Sequence, residues 1–118
     1  MMRSFVKIMK ALADPSRVKI LKMLEGGEMC VCELRAAIGL AQPTVSKHLK
    51  VLEEAGLVAG RKDGLWVNYR LAPESPYAEK MLANLRGWLR EDPEIRAVLA
   101  LLPSIDRKLL CRTPSTSK

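Results

Sequence analysis

Aromatic side chains are scarce in this chain: one Phe, two Tyr and two Trp make up 4% of its 118 residues. A core built without them must rely on Leu, Val, Ile, Met and Ala, which dominate a hydrophobic fraction of 48% and favour helices. Histidine is scarcer still, with His48 alone. No Ser or Cys nucleophile forms a constellation with it, and there is no Gly-rich phosphate loop. Nothing is left to carry out catalysis, which argues against an enzyme and against an organic cofactor. Long hydrophobic runs are missing too. The longest, residues 97–102, is far too short to span a bilayer, so no membrane partner is expected. The N-terminal stretch MMRSFVKIMKAL is broken by Lys7 and Lys10 and lacks a small-residue cleavage site. It reads as an amphipathic helix, and a cytoplasmic protein is expected. Three cysteines, an odd number, make no disulfide framework and suit a reducing compartment.

What the chain does have is positive charge. The formal net charge is +7, and residues 1–27 hold six Lys or Arg against two acids. A polyanion partner follows from such a balance only if the fold presents it on one face.

The periodicity predicts a mainly α chain with a β-hairpin wing. In residues 3–12, Phe5, Ile8, Met9 and Leu12 share one helical face. Asp14 and Pro15 are N-cap and first position of a second helix, with Val18, Leu21 and Leu24 inward and a stop at Gly26-Gly27. A short third helix covers about residues 31–38, with Leu34 and Ile38 facing the core, and ends at Gly39. A fourth runs over residues 43–55 with Val45, Leu49 and Leu52 inward, and Gly56 marks its end. Two helices joined by a short Gly-containing turn form a helix-turn-helix. The hairpin follows at once: Asp63-Gly64 is a preferred two-residue turn, and Leu65, Val67, Tyr69 and Leu71 alternate after it. This is a winged helix-turn-helix. Residues 75–102 read as helix with a break near Asp92-Pro93. The division expected is a winged-helix DNA-binding and dimerisation domain over 1–102 and a loose C-terminal tail over 103–118.

On the fourth helix Pro43, Ser46, Lys47 and Lys50 turn outward, with Gln42 and Thr44 at its N-terminal tip. In a helix-turn-helix that tip enters the major groove first. Gln pairs with adenine, Ser with either base type, and Lys reaches guanine or phosphate. Arg61 and Lys62, near the hairpin tip, suit the DNA backbone or minor groove. His48 is expected at the helix edge, held by a hydrogen bond. Trp66 and Tyr69 alternate faces within one strand and read as hairpin packing.

Cys30 and Cys32 sit just ahead of this pair of helices. Two residues along a regular helix turn about 200°, so both thiols can grip one ion only if Cys30 lies at the irregular start of the helix or the first turn opens. A soft ion held there would distort the helix that supports the recognition helix, as a ligand switch requires. Thiolates select soft ions. Two do not complete a tetrahedral zinc site, whereas trivalent arsenic or antimony takes three sulfurs and tolerates two. Cys111 can supply the third if the tail folds back, from the same chain or a dimer partner. Free cysteines also serve as small buried hydrophobes.

The runs ALADPSRVKILKML, EMCVCEL, QPTVSKHLKVLEEAGLV and GLWVNYRL, in this order, together resemble the ArsR/SmtB metalloregulatory repressors over roughly residues 5–90. Among these the arsenic-responsive repressors are the most similar. The resemblance implies a homodimeric winged-helix repressor that leaves its operator when As(III) or Sb(III) binds Cys30 and Cys32, with residues 42–50 as the recognition segment. It implies dimerisation through the first and last helices, the latter offering Tyr77, Met81, Leu82, Leu85, Trp88 and Leu89. Arsenic repressors of this family place a third cysteine where this chain has Arg35. Relatives sensing cadmium or lead add N-terminal cysteines, and zinc sensors use histidines on the last helix; this sequence has neither. A cadmium or lead sensor and a thiol oxidation sensor remain as alternatives on the same fold. A winged-helix protein–protein module without an operator is the alternative of a different class.

Overall fold

The computed structural model describes residues 2–105. Its elements run in the order α1 (Met2–Leu12), α2 (Pro15–Leu24), β1 (Met29–Cys30), α3 (Val31–Ile38), α4 (Gln42–Glu54), β2 (Val58–Asp63), β3 (Trp66–Leu71), α5 (Pro76–Gly87) and α6 (Pro93–Leu101), closed by a single 3-10 turn, Leu102–Ser104. This is the expected winged helix-turn-helix, mainly α. The hairpin is enlarged to three antiparallel strands in the order β1-β3-β2.

Helix α2 is the centre of the molecule. Asp14 caps it by accepting from the Arg17 amide at 3.0 Å, and Pro15 opens the first turn. Val18 is half-buried, whereas every residue from 20 to 24 is buried, because α1, α3, α4 and α6 all pack on this helix. That enclosure includes the side chain of Lys22, 3% exposed. Its ammonium donates to the backbone carbonyls of Leu85 at 2.8 Å and Trp88 at 3.0 Å, and pairs with the Glu25 carboxylate at 3.1 Å. A buried cation thus caps the end of α5, adding to the Trp88 amide on the Leu85 carbonyl and satisfying the carbonyl of Trp88 just beyond the helix.

Two expectations need correction. The turn of the hairpin is Gly64-Leu65, not Asp63-Gly64: Asp63 and Trp66 are the closing pair. Gly64 takes φ 64° while Leu65 keeps a negative φ, the pattern of a II′ turn, in which only the first central residue needs the left-handed region. The C-terminal helix is also not continuous up to Asp92. It stops at Gly87, passes through Leu89 at φ 64°, and restarts where Asp92 Oδ1 accepts from the Glu94 and Ile95 amides at 2.9 and 3.2 Å.

In α1 the core residues are Ile8 and Ala11, with Met9 and Leu12 at the margin. Phe5 points outward and meets Tyr77 of α5 edge-on, with ring centroids 5.7 Å apart. Leu82 and Leu85 are buried in the chain's own core, while Tyr77, Trp88 and Leu89 stay exposed. Among the described residues no helix is long and apolar enough to cross a membrane.

Candidate nucleic-acid interface and thiol site

Helix α4 divides as its sequence requires. Val45, Leu49 and Leu52 are fully buried, so Gln42, Pro43, Thr44, Ser46, Lys47 and Lys50 are all left on the exposed side. Ala41 caps the helix without a side-chain hydrogen bond, and no acid lies in the first turn. The positive end of the helix is therefore open to an anion beside Gln42 and Thr44. His48 is half-buried at the helix edge, as expected, with Nδ1 3.3 Å from the Arg17 guanidinium. The same guanidinium donates to the carbonyls of Ala11 and Lys10 at 2.7 and 3.2 Å, so Arg17 joins the end of α1 to the flank of α4.

On the wing Lys62 is exposed, but Arg61 is engaged. Its guanidinium donates to both carboxylate oxygens of Glu28, each at 3.0 Å. Both side chains are partly in solvent, so the pair fixes geometry more than it adds stability. Gly60 lies against the ring of Tyr69: a Cβ there would stand 2.8 Å from a ring carbon, and β2 can pack at this point only without a side chain.

The two cysteines occupy different kinds of backbone. Cys30 ends β1 and is the N-cap of α3 in extended conformation, φ −86° and ψ 166°, whereas Cys32 lies in the first turn. The 200° separation of a regular helix therefore does not apply to this pair. The cap is reciprocal: the Cys30 amide donates to Glu33 Oε1 at 2.8 Å, and the Glu33 amide faces the Cys30 sulfur. Both thiols are buried, at 1% and 8% exposure, under the half-buried ring of Trp66. Burial is the main force pushing the Cys30 thiol up from its ordinary range, helped by the Glu33 carboxylate and opposed by the Glu33 amide. Burial also raises Cys32, helped by Cys30 and opposed by Arg35. At neutral pH both are protonated thiols.

Across the sheet, Cys30 lies directly opposite Asn68 of β3, and Asn68 lies opposite Arg61 of β2. The row Cys30–Asn68–Arg61 thus runs from the thiol site to the wing. Asn68 is 2% exposed, and its Oδ1 has no hydrogen-bond partner among the described residues. Neither β1 nor this row was anticipated from the sequence. A two-residue strand has no periodicity to detect, and only pairing with β3 defines it. No group of three or more His, Cys, Asp or Glu able to hold a metal ion occurs among the described residues. The available donors are two soft thiols, which fit a thiophilic centre and not a tetrahedral zinc ion. Cys111 lies outside the described residues.

The arrangement of helix-turn-helix, wing and buried CxC pair has known counterparts. Residues 14–59 match the family model for the bacterial regulatory protein, arsR family. The arsenical resistance operon repressor of Escherichia coli K12 is 39% identical over 112 residues, covering 90% of this chain and 94% of the relative. The chain belongs to the arsR family. Among solved structures, reduced HlyU from Vibrio cholerae is 34% identical with a TM-score of 0.66, covering 75% of this chain and 92% of its own. The homodimeric winged helix-turn-helix domain of Mb0332 from Mycobacterium bovis is 30% identical with the same TM-score of 0.66, covering 79% and 84%. As an arsR-family member the chain is a DNA-binding transcriptional regulator with operator DNA as its partner, and not an enzyme.

Proposed function

We propose that this arsR-family transcriptional repressor works in the cytoplasm as a homodimer and leaves its operator when trivalent arsenic, or antimony, bonds to Cys30 and Cys32. The observation that carries the reading is the placement of Cys30 at the N-cap of α3. One sulfur is both a potential ligand and the group that closes the first turn of the helix supporting α4. A bond from that sulfur to arsenic makes it a poorer acceptor for the Glu33 amide, loosens the cap, and draws the first turn toward a shared centre. Helix α3 packs directly on α4, and β1 pairs with the wing strand β3, so both DNA-contacting elements feel the change. The homology to an arsenical resistance operon repressor supports the choice of ligand.

The protonated thiols add a chemical argument. Arsenous acid carries hydroxide leaving groups, which take the two thiol protons away as water. Divalent cadmium or lead must instead displace those protons into solution against raised thiol pKa values. A redox role is disfavoured on the same ground, because oxidation-sensing cysteines are exposed and low in pKa.

Gln42, Pro43, Thr44, Ser46, Lys47 and Lys50 form the base-reading tip in this proposal, with Lys62 on the backbone and Arg61 available once Glu28 releases it. The dimer surface is the exposed apolar face of Met2, Phe5, Val6, Tyr77 and Trp88, and a relative of the same fold is homodimeric. The test is anisotropy of a labelled upstream DNA fragment, titrated with protein and then with arsenite. Binding should collapse in wild type, and Cys30→Ser or Cys32→Ser should bind DNA and ignore arsenite. Ser is a favoured N-cap, so the first variant keeps the helix start. Normal release from either variant would refute the CxC site.

A further inference from the structure

Asn68 is a buried amide whose Oδ1 has no hydrogen-bond donor among the described residues. Its Nδ2 is 3.5 Å from Asp63 Oδ2. That carboxylate can only accept, so the amino group of Asn68 faces it and the carbonyl oxygen faces elsewhere. Asn68 and Cys30 are direct partners in the antiparallel pair β1–β3. Side chains so opposed project from one face with Cβ atoms roughly 5 Å apart. Trp66, two residues before Asn68 on the same strand and therefore on the same face, packs against the buried pair Cys30 and Cys32. The side chain that carries the unsatisfied oxygen thus lies on the sheet face that bears Cys30 and Trp66. Leaving a buried carbonyl unpaired is unfavourable, which marks the group as awaiting a donor.

Arsenous acid brings one. Two thiols condense with As(OH)3 to give (RS)2As–OH and two waters: two As–O bonds break, two As–S bonds form, each thiol proton leaves on a hydroxide, and arsenic stays trivalent. One hydroxyl remains. We propose that this retained As–OH is the third ligand and donates its proton to Asn68 Oδ1, so that Asn68 recognises arsenicals that keep a hydroxyl after capture by Cys30 and Cys32. The inference rests on the arsenic reading above and deepens it. It explains how a site with Arg35 in place of a third nearby cysteine can close without another sulfur. The Trp66 cover keeps bulk water from competing for the same bond, and a hydrogen bond in that setting is stronger than in solvent.

The experiment uses the full chain with a non-thiol reductant and two ligands: arsenite, and methylarsonous acid, whose methyl group leaves no As–OH once two sulfurs are bound. Arsenic-edge X-ray absorption of the wild-type complex with arsenite should show two sulfurs and one oxygen. Asn68→Leu should weaken arsenite binding about five- to tenfold, the worth of one buried hydrogen bond, and leave methylarsonous acid binding unchanged. Three sulfurs on arsenic, with Cys111 as the source, would overturn the inference while leaving the arsenic reading intact. Equal weakening for both ligands would make Asn68 merely structural, and no weakening for either would remove its role. If wild type bound neither arsenical, the arsenic reading would fail and this inference with it.

Discussion

Arg61 grips both oxygens of the Glu28 carboxylate, joining the wing to the segment that leads into Cys30. A wing arginine in a DNA-binding protein is ordinarily free to meet phosphate; here it is held by a residue two positions before the thiol site. Glu28→Gln should therefore release Arg61 and strengthen DNA binding. The logarithmic salt slope should steepen by about one, the contribution of one added phosphate contact. Anisotropy titrations over a series of salt concentrations would check this, and an unchanged slope would mean that Arg61 already abandons Glu28 on the operator.

Lys47 sits exposed beside the buried Val45 and contributes nothing to the core. Lys47→Ala should lower operator affinity about tenfold and the salt slope by about one. Thermal unfolding should stay within about 0.5 kcal/mol of wild type, as for surface substitutions away from special features. Unchanged DNA affinity would misplace the recognition helix.

The pH dependence of ligand binding separates neutral arsenicals from divalent cations. Both thiol pKa values are raised, so Cys30 and Cys32 are protonated at neutral pH. Below those pKa values a cation that binds both thiolates displaces two protons. Its affinity should rise with pH by about a hundredfold per unit. Arsenite, whose condensation consumes the thiol protons as water, should show nearly constant affinity over the same range. Competition titrations between pH 6 and 8, roughly the window in which both thiols stay protonated, would measure both. An arsenite affinity that climbed as steeply as that of cadmium would mean the resting site is already a thiolate pair.

Lys22 has three partners and almost no solvent. Lys22→Met should destabilise the fold by about 2–4 kcal/mol, because it strands the Glu25 carboxylate and the Trp88 carbonyl and removes one of two donors to the Leu85 carbonyl. Adding Glu25→Gln should recover part of that loss, since the stranded charge is removed. A double variant no more stable than the single one would show that the carbonyls, and not the ion pair, are what Lys22 serves.

Phe5 and Tyr77 present an edge-to-face pair to solvent on the apolar surface assigned to the dimer. Phe5→Glu should shift the protein from dimer to monomer in sedimentation, because a charge at the centre of an apolar interface has no partner there. Operator affinity should fall with it, as the two half-sites are no longer read together. A dimer that survives this change would place the interface on another face.

Most of the fold was legible in the sequence because it is local. Periodic apolar residues, Asp14-Pro15, Gly39 and Gly56 determine where helices begin and end, and the buried Val45, Leu49 and Leu52 decide which side chains of α4 are left exposed. The CxC pair was visible for the same reason, as was its need for an irregular helix start. Tertiary structure decided everything that depends on chain segments far apart. The enclosure of α2 made Lys22 a buried clamp. Packing drew Leu82 and Leu85 into the core and left Trp88 and Leu89 outside. Above all, the register of β1 on β3 set Asn68 against Cys30, and Arg61 beyond it. Cys30 and Asn68 are 38 residues apart in the chain, and no local pattern in the sequence encodes that pairing. Which groups stand opposite the thiol site follows only from strand register.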